Sequence, residues 1–383
     1  MIPLCIPNIS ANEGKYLQEC IDTNFVSSVG KFVGQFEDLI SNKTHSKYTV
    51  VTNTGTSALH LALTTIGVTH NDLVVLPSFT FIASANAISH CGAAPLLVDI
   101  DEESWTICPK SLNSLLEKET KFDSQENLIH KPSQKIIKAI MPVFTLGTPA
   151  DMDAINKIAK KYKIPVVADG AAAIGATYKN KNLGEIADLT CFSFNGNKTI
   201  TTGGGGAIIS NNEELMKKAK HLCTTARVGT NYDHDMVGFN YRLTNLQAAV
   251  GCAQIEVLDN FLTKKREISK TYENAFSDNV ACRPFPKPEW ANSACWFSGV
   301  QLKDSYNKLT VEQIVKKLEE QGIQARSFWK PIHLQKPYAN SPKGDLTKSE
   351  HIWDKVITLP CSTNLSENDQ LFVIEKLKEI LSI

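Results

Sequence analysis

The chain has 383 residues, of which 42% are hydrophobic and 21% are charged, and these ordinary globular values exclude a disordered or low-complexity chain. Its 40 Lys and Arg residues balance 40 Asp and Glu residues, so the formal net charge is zero. A chain without net charge has no bulk electrostatic attraction to nucleic acid or to an anionic membrane. An anionic ligand must therefore be held by a local site.

The spacing of the ten cysteines and the composition of the N-terminal segment bear on the cellular compartment of the protein. No two cysteines have the CxxC spacing of zinc or redox motifs, so we expect no metal site. The first residues lack the basic and apolar regions of a signal peptide, and no apolar run approaches the ~18 residues of a membrane span. We expect a cytoplasmic protein with reduced thiols.

Apolar runs typical of strands alternate with helical patterns between about residues 45 and 210. The strand-like runs lie at 48–52, 73–76, 94–98, 136–143, 165–168 and 189–194, and helical spacing appears at 57–66 and 151–162. This alternation predicts an α/β domain with a mostly parallel sheet. Ligands of such sheets bind beyond the carboxyl ends of the strands.

A second, smaller domain is predicted in the C-terminal part of the chain. A helical pattern without proline covers 244–276, three prolines follow at 284, 286 and 288, and further helical patterns lie at 311–321 and 367–380. We predict a large domain over 1–248 and a smaller α/β domain over 249–383. The polar segment 121–134 is predicted to be a surface insertion.

Lys198 lies in a turn between two predicted strands, shortly before the four glycines at 203–206. A free lysine has a pKa of about 10.4, so a lysine that does covalent chemistry must be desolvated, placed near another cation or bound as a Schiff base. Taken alone, the segment favours a solvated turn lysine. It matches neither the Walker A motif nor GxGxxG, which argues against an NTPase or a dinucleotide enzyme.

Three further features follow predicted strands. Asp169 closes the strand at 165–168, where an Asx turn or a helix cap is its commoner role. Gly55, Thr56 and Ser57 open a helix whose free N–H groups suit a phosphate, although a plain N-cap fits equally. Phe81 is placed to stack on a planar cofactor, although a lone Phe more often packs in a core. Together with Lys198, these features are what pyridoxal phosphate (PLP) requires.

Several segments carry a resemblance to a known family: 30–37 (GKFVGQFE), 55–59 (GTSAL), 77–81 (PSFTF), 98–101 (VDID), 194–206 (FNGNKTITTGGGG) and 237–249 (VGFNYRLTNLQAA). Over almost its whole length the chain resembles the DegT/StrS-type nucleotide-sugar aminotransferases. The resemblance implies the aspartate-aminotransferase-like fold type I. The 194–206 segment is most similar to the branch that aminates C4 of UDP-4-keto-6-deoxy-N-acetylglucosamine for legionaminic acid and bacillosamine-type sugars.

The resemblance implies a role for each matching residue. Lys198 would bind PLP covalently and later move the proton, and Asp169 would keep the pyridine nitrogen protonated. The phosphate would be held by Gly55, Thr56, Ser57 and Ser193, and Phe81 would stack on the ring. Asn240 would reach the phosphate from the partner subunit of a homodimer, and Arg242 and His333 would contact the nucleotide sugar or the amino donor.

The implied reaction is a ping-pong transamination that converts the 4-keto sugar to a 4-amino sugar, with L-glutamate as the donor. Two alternatives remain open. The first is a C3-aminotransferase that acts on another nucleotide-linked keto sugar, and the second is a catalytically idle regulatory protein that binds PLP.

Three positions depart from the family pattern. Ala172 stands where the family usually has Gln, Glu or His near the PLP hydroxyl, Gly204 replaces a common Glu, and Phe144 replaces a frequent His. The first departure leaves the contact to the PLP hydroxyl unassigned. We expect transamination to be retained because Lys198 and Asp169 are present, and Lys198 also argues against the related dehydratases, which have His there.

Overall fold

The structure is a computed structural model that describes residues 1–382. Its helices are α1 (Glu13–Asp22), α2 (Lys31–Thr44), α3 (Gly55–Thr65), α4 (Ile82–His90), α5 (Pro109–Glu119), α6 (Met152–Tyr162), α7 (Glu213–Cys223), α8 (Asn245–Glu256), α9 (Leu258–Phe276), α10 (Val311–Glu320), α11 (Thr347–Ile352) and α12 (Glu367–Ser382). Short 3-10 turns lie at Thr145–Gly147, Leu183–Glu185, Ile332–Leu334, Lys336–Tyr338 and Trp353–Lys355.

The strands belong to two regions of the chain. The first region holds β1 (Tyr48–Thr52), β2 (Leu73–Pro77), β3 (Ala94–Val98), β4 (Thr120–Phe122), β5 (Leu128–His130), β6 (Lys135–Ile140), β7 (Val167–Asp169), β8 (Thr177–Tyr178), β9 (Lys181–Asn182), β10 (Leu189–Ser193), β11 (Gly206–Ser210), β12 (Arg227–Val228) and β13 (Asp233–His234). The second region holds β14 (Cys282–Pro284), β15 (Ala291–Asn292), β16 (Ser298–Leu302), β17 (Arg326–Ser327) and β18 (Val356–Leu359).

The large domain is built on a mixed sheet whose centre is parallel. β2 pairs in parallel with β3 and β6, and β7 pairs in parallel with β10. Parallel bridges from Ile140 to Val166 and from Val143 to Asp169 connect the two halves, and β11 runs antiparallel between β1 and β10. β2 is buried along its length because helices cover both faces of the sheet. The predicted α/β architecture is confirmed.

Local sequence explains where the helices begin. The side chains of Thr54 and Asp151 accept hydrogen bonds from the first turns of α3 and α6, and Thr244 forms a capping box with Gln247 at α8. In α6 the predicted apolar face, which includes Met152 and Ile155, is buried. These caps fix the N-termini of the helices. The N-terminus of α3 lies at the edge of the sheet where ligands bind.

The segment 121–134 is not the simple surface insertion that its polarity predicted. Part of it forms the β4–β5 hairpin, which extends the sheet beside β6. Leu128, Ile129 and His130 are buried, and the His130 ring nitrogens lie 2.7 Å from Ser133 Oγ and 3.1 Å from Glu119 Oε2. Most of the segment lies at the surface as predicted, but its three buried residues dock a hairpin that the polar composition does not indicate.

The smaller domain contains the antiparallel sheet β14-β16-β18-β17, and its apolar core is built from residues between Ile268 and Leu381. The division at 248/249 stays a prediction, and two packing features bear on it. Ala248 and Ala249 of α8 lie in the core of the large domain. The N-terminal segment is bound to the smaller domain, since Ile2 N–H donates to Gly322 O at 2.7 Å. Within residues 1–382, no helix combines the length and apolarity that crossing a bilayer requires.

A close helix contact gives a stability prediction. A Cβ on Gly251 in α8 would lie 2.6 Å from Phe36 Cζ, whereas a Cβ on Gly34 in α2 would have nothing within 4 Å. We expect Gly251→Ala to lower the free energy of unfolding by about 1–3 kcal/mol through overpacking. The control Gly34→Ala is expected to raise it by up to about 1 kcal/mol, because Ala is the better helix former. Urea unfolding measures both values, and an increase for Gly251→Ala would contradict the packing.

Candidate active site

A cavity of about 490 Å³ lies between the two domains, beyond the carboxyl ends of the strands. The large domain contributes Gly55, Thr56, Asp169, Ser193 and Lys198 to its wall, and the smaller domain contributes Trp296, Phe297, Arg326 and Trp329. Leu4 of the N-terminal segment also lines it. The cavity therefore brings together the lysine, the carboxylate and the helix N-terminus that the sequence placed after separate strands.

Lys198 lies in the turn that follows β10, with its ammonium 3.6 Å from the centre of the Trp296 ring. The indole Nε1–H of Trp296 donates to Asn197 O at 2.6 Å, which holds the aromatic ring against the lysine turn. Burial lowers the pKa of Lys198 to about 8, against the charges of Asp169 and Cys5, which raise it. A substantial neutral fraction near pH 7–8 makes this amine a competent nucleophile.

Asp169 is the last residue of β7, and its side chain is buried. Ser84 Oγ donates to its Oδ2 at 2.6 Å, and the Ala171 N–H donates to its Oδ1 at 3.0 Å. Burial raises the pKa of Asp169, and these two hydrogen bonds and the Lys198 charge oppose the rise. A cation that entered the cavity beside this carboxylate would favour its ionised form.

The N-terminus of α3 forms a small anion cradle with Ser193. A Cβ on Gly55 would lie 2.6 Å from Ser193 Cβ and 2.9 Å from Ser193 Oγ, so only glycine leaves room there. The first N–H groups of a helix have no partner within it, and Gly55 and Thr56 both line the cavity. Ser57 instead caps the helix with Thr54, since its N–H donates to Thr54 Oγ at 3.0 Å. The structure does not place Ser57 on the cavity wall.

Aromatic side chains form one wall of the cavity. Phe81 is 53% exposed, lines the cavity and lies 6.0 Å from Trp329 between ring centres. Sequence reasoning identified Phe81 and missed Trp296, Trp329 and Arg326. These residues lie about 100 or more positions after Lys198 and stand in no motif, so only the packing of the two domains brings them to the site.

Besides Ser57, three predicted residues do not line the cavity of the single chain. Asn240 and Arg242 are exposed, and Arg242 Nη2 lies 3.5 Å from Asn240 Oδ1. His333 is buried outside the cavity wall, with its Nδ1 2.7 Å from Ser78 Oγ and its Nε2 2.9 Å from Glu350 Oε1. Both His333 nitrogens are occupied, and burial lowers its pKa. In this arrangement His333 braces the connection between the domains and has no free atom for a substrate.

The three departures from the family pattern all lie at the cavity. Ala172, Phe144 and Gly204 line it, and none of these side chains offers a hydrogen-bonding atom. Gly204 O accepts a hydrogen bond from Gln247 Nε2 at 2.9 Å. The wall beside Asp169 is therefore apolar where the family usually has a polar group. Among residues 1–382, no three His, Cys, Asp or Glu side chains cluster in a way that would hold a metal ion.

The fold and this site define a PLP-dependent aminotransferase, and the chain belongs to the DegT/DnrJ/EryC1/StrS aminotransferase family, whose model matches residues 7–378. GDP-perosamine synthase of Caulobacter vibrioides is similar to it at 36% identity over 383 residues, covering 99% of this chain and 98% of the relative.

Two solved structures extend the similarity to the fold. A DegT DnrJ EryC1 StrS aminotransferase from Brucella abortus is 25% identical, has a TM-score of 0.88 and covers 97% of this chain and 96% of its own. The PLP form of Spr1654 from Streptococcus pneumoniae, described as a sugar aminotransferase, is 25% identical with a TM-score of 0.88 and covers 100% and 98%.

The enzyme class, the cofactor and the fold predicted from the sequence are confirmed: the protein is a PLP-dependent sugar aminotransferase that acts on nucleotide sugars. The residues present fit PLP, because the glycine cradle leaves room for a phosphate and the buried carboxylate faces the same cavity as the enclosed amine. The particular sugar is a separate question.

The lowered pKa of Lys198 predicts how covalent attachment of PLP depends on pH. Apoprotein is mixed with PLP, and borohydride reduction then fixes the cofactor to the lysine. Trypsin does not cleave after a modified Lys198, so the label appears in peptide 182–217. We expect the initial labelling rate to rise with pH and level off above about 8. Asp169→Asn removes a charge that raises the pKa of Lys198. The midpoint of the pH dependence of labelling should therefore move to lower pH in this variant.

The matched control is Asp72→Asn, because Asp72 is equally buried and caps the turn before β2, away from the cavity. Its midpoint should equal that of the wild type. Label on a different lysine, or a midpoint that Asp169→Asn moves upward, would contradict the assignment.

Proposed function

We propose that the protein aminates C4 of UDP-4-keto-6-deoxy-N-acetylglucosamine with L-glutamate as the amino donor. The observation that carries this proposal is one cavity of about 490 Å³ that contains Lys198 and Asp169 and is open enough for a sugar beside a cofactor. Lys198 is the covalent anchor and proton carrier, and Asp169 is the partner of the pyridine nitrogen.

The side chains divide the chemistry between them. Bound PLP supplies an electrophilic carbon for the donor amine and a ring that takes up an electron pair. Lys198, with a pKa near 8, takes a proton from the donor's α-carbon and releases it again at almost no cost near neutral pH. Asp169 favours a protonated ring nitrogen and so strengthens the ring as an electron acceptor. Gly55, Thr56 and Ser193 hold the phosphate and orient the ring.

The apolar residues that line the cavity favour a sugar with an apolar edge. Phe81 and Trp329 line the cavity as a pair of aromatic rings, and Phe144 and Ala172 add an apolar surface beside Asp169. A 6-deoxy sugar has a methyl group in place of a hydroxymethyl group and so matches this surface without leaving a polar atom unpaired. The similarity of segment 194–206 to the UDP-sugar branch supports the choice of nucleotide.

A second candidate is a GDP-linked keto sugar. It is favoured by the relative that is 36% identical over 383 residues and is named for a GDP-linked product. The two candidates share the same reaction at the keto carbon, and amination at C3 remains the positional alternative. They differ in the base that the protein must recognise.

We expect the substrate panel to separate these candidates. The holoenzyme is incubated with L-glutamate and with UDP-, GDP- and dTDP-linked 4-keto-6-deoxy sugars, and the products are read by mass and NMR. Amine at C4 of the UDP-linked sugar, with the highest kcat/KM in the panel, is the predicted result. Preference for the GDP-linked sugar would support the second candidate, and amine at C3 would overturn the assigned position.

The active unit is proposed to be a homodimer in which the partner subunit's Asn240 reaches the phosphate. In the single chain Asn240 is exposed and lies outside the cavity wall. Apolar side chains cluster in the sequence just before it: Tyr232 is 75% and Val237 is 86% exposed. Burial of such side chains in a contact between subunits is favourable. A contact there would place Asn240, which follows them in the sequence, at the interface.

Mixed dimers test whether the site is shared. Lys198→Ala and Asn240→Ala are each expected to be nearly inactive, and exchange of their subunits should restore about a quarter of the wild-type activity, because half of the dimers are mixed and each has one intact site. Native mass spectrometry verifies the exchange. Mixed dimers that form without regaining activity would mean that Asn240 does not act across an interface.

A further inference from the structure

A buried lysine and two thiols lie behind the turn that holds Lys198. Lys265 of α9 is 1% exposed, and its ammonium donates to Trp296 O at 2.9 Å and to Cys361 O at 2.7 Å. The same nitrogen lies 3.5 Å from Cys5 Sγ and 3.7 Å from Cys361 Sγ. Within residues 1–382, no carboxylate forms an ion pair with Lys265. The proposed reaction does not use this cluster.

The two cysteines come from opposite ends of the chain and are held side by side. The Cys361 N–H donates to Leu4 O at 2.8 Å, and the Ile6 N–H donates to Ser362 Oγ at 3.0 Å. Both sulfurs contact the same ammonium, that of Lys265. Cys361 is fully buried, whereas Cys5 is partly accessible, so a small reagent from solvent meets Cys5 first.

We propose that Cys5 and Cys361 are a peroxide-sensitive pair that closes reversibly to a disulfide beside Lys198. The Cys5 thiolate attacks hydrogen peroxide, an S–O bond forms as the O–O bond breaks, and hydroxide leaves. The Cys361 sulfur then attacks the Cys5 sulfenic acid, the S–O bond breaks, and the thiol proton leaves with the hydroxyl as water. The hydroxide takes up the proton that Cys5 released on ionisation, so the pair loses two electrons and two protons and peroxide is reduced to two waters.

The surroundings assign the order of attack. The neighbouring Cys361 thiol lowers the pKa of Cys5 to about 6 against the effect of burial, and the Lys265 and Lys198 charges lower it further. Burial raises the pKa of Cys361. Because the thiolate is the nucleophile, Cys5 reacts with peroxide and Cys361 resolves the product. In a reducing compartment such a bond would be transient, as redox-sensing disulfides are.

The pair is connected to the catalytic turn. Cys5 Sγ lies 3.4 Å from Asn197 O, the carbonyl immediately before Lys198. A disulfide ties this sulfur to Cys361 and so changes its contact with the turn. Leu4, the neighbour of Cys5, lines the cavity, so the bond also fixes one part of its wall to the smaller domain.

Peptide mapping of the wild-type holoenzyme tests the bond directly. After treatment with hydrogen peroxide and alkylation, a non-reducing tryptic digest should contain peptide 1–15 joined to peptide 356–376, two hydrogens lighter than their sum; Cys5 and Cys361 are their only cysteines. The rate with glutamate and keto sugar should fall about fivefold, as a loss of about 1 kcal/mol in the support of the Lys198 turn gives, and recover with dithiothreitol.

Variants separate the pair from general oxidation. Cys361→Ser should abolish the linked peptides and leave Cys5 as a sulfinic acid. The control Cys91→Ser should keep both the link and the fall in rate, because Cys91 is also half-buried but burial raises its pKa to about 11.

Two results would overturn the proposal. The first is wild-type protein in which Cys361 is fully alkylated while Cys5 is overoxidised or joined to Lys265 or to another chain. The second is a linked pair with an unchanged rate, which would remove the connection to the Lys198 turn. The mapping uses no sugar substrate, so its outcome is independent of the proposed specificity.

Discussion

The enclosure of an amine and a carboxylate in one cavity is the constraint on which the rest of the structure depends. Burial lowers the pKa of Lys198 and raises that of Asp169, so the charged form of each group is less favourable here than in water. A ligand that offers an aldehyde to the amine and a basic ring nitrogen to the carboxylate relieves both costs. We propose that PLP is selected because it satisfies both groups at once.

The sheet sets the distance between these groups. β7 and β10 are parallel neighbours, and Asp169 stands opposite Cys191, two residues before β10 ends at Ser193. The carboxylate and the lysine turn therefore emerge at the same edge, next to the N-terminus of α3. The smaller domain closes this edge with Trp296, whose position depends on Lys265 behind it and on Asn197 beside it. A redox change at Cys5 acts on this same connection.

Sequence reasoning reached the parts of the site that follow strands. Asp169, Lys198 and Gly55 each stand after an apolar run, and the geometry of parallel sheets places such residues together. It did not reach Trp296 or Arg326, because their place depends on the packing of a second domain. His333 shows the opposite limit: its residue type suits substrate contact, but Ser78 and Glu350 occupy both of its nitrogens. The hairpin at 120–130 was missed because it is buried by tertiary contacts, which the polar composition of the segment does not indicate.

A crystal structure of the holoenzyme tests the central claim most directly. The account predicts continuous density between Lys198 Nζ and the aldehyde carbon of PLP, with an Asp169 carboxylate oxygen within hydrogen-bond distance of the ring nitrogen. PLP bonded to another lysine, or a ring nitrogen that faces away from Asp169, would contradict it.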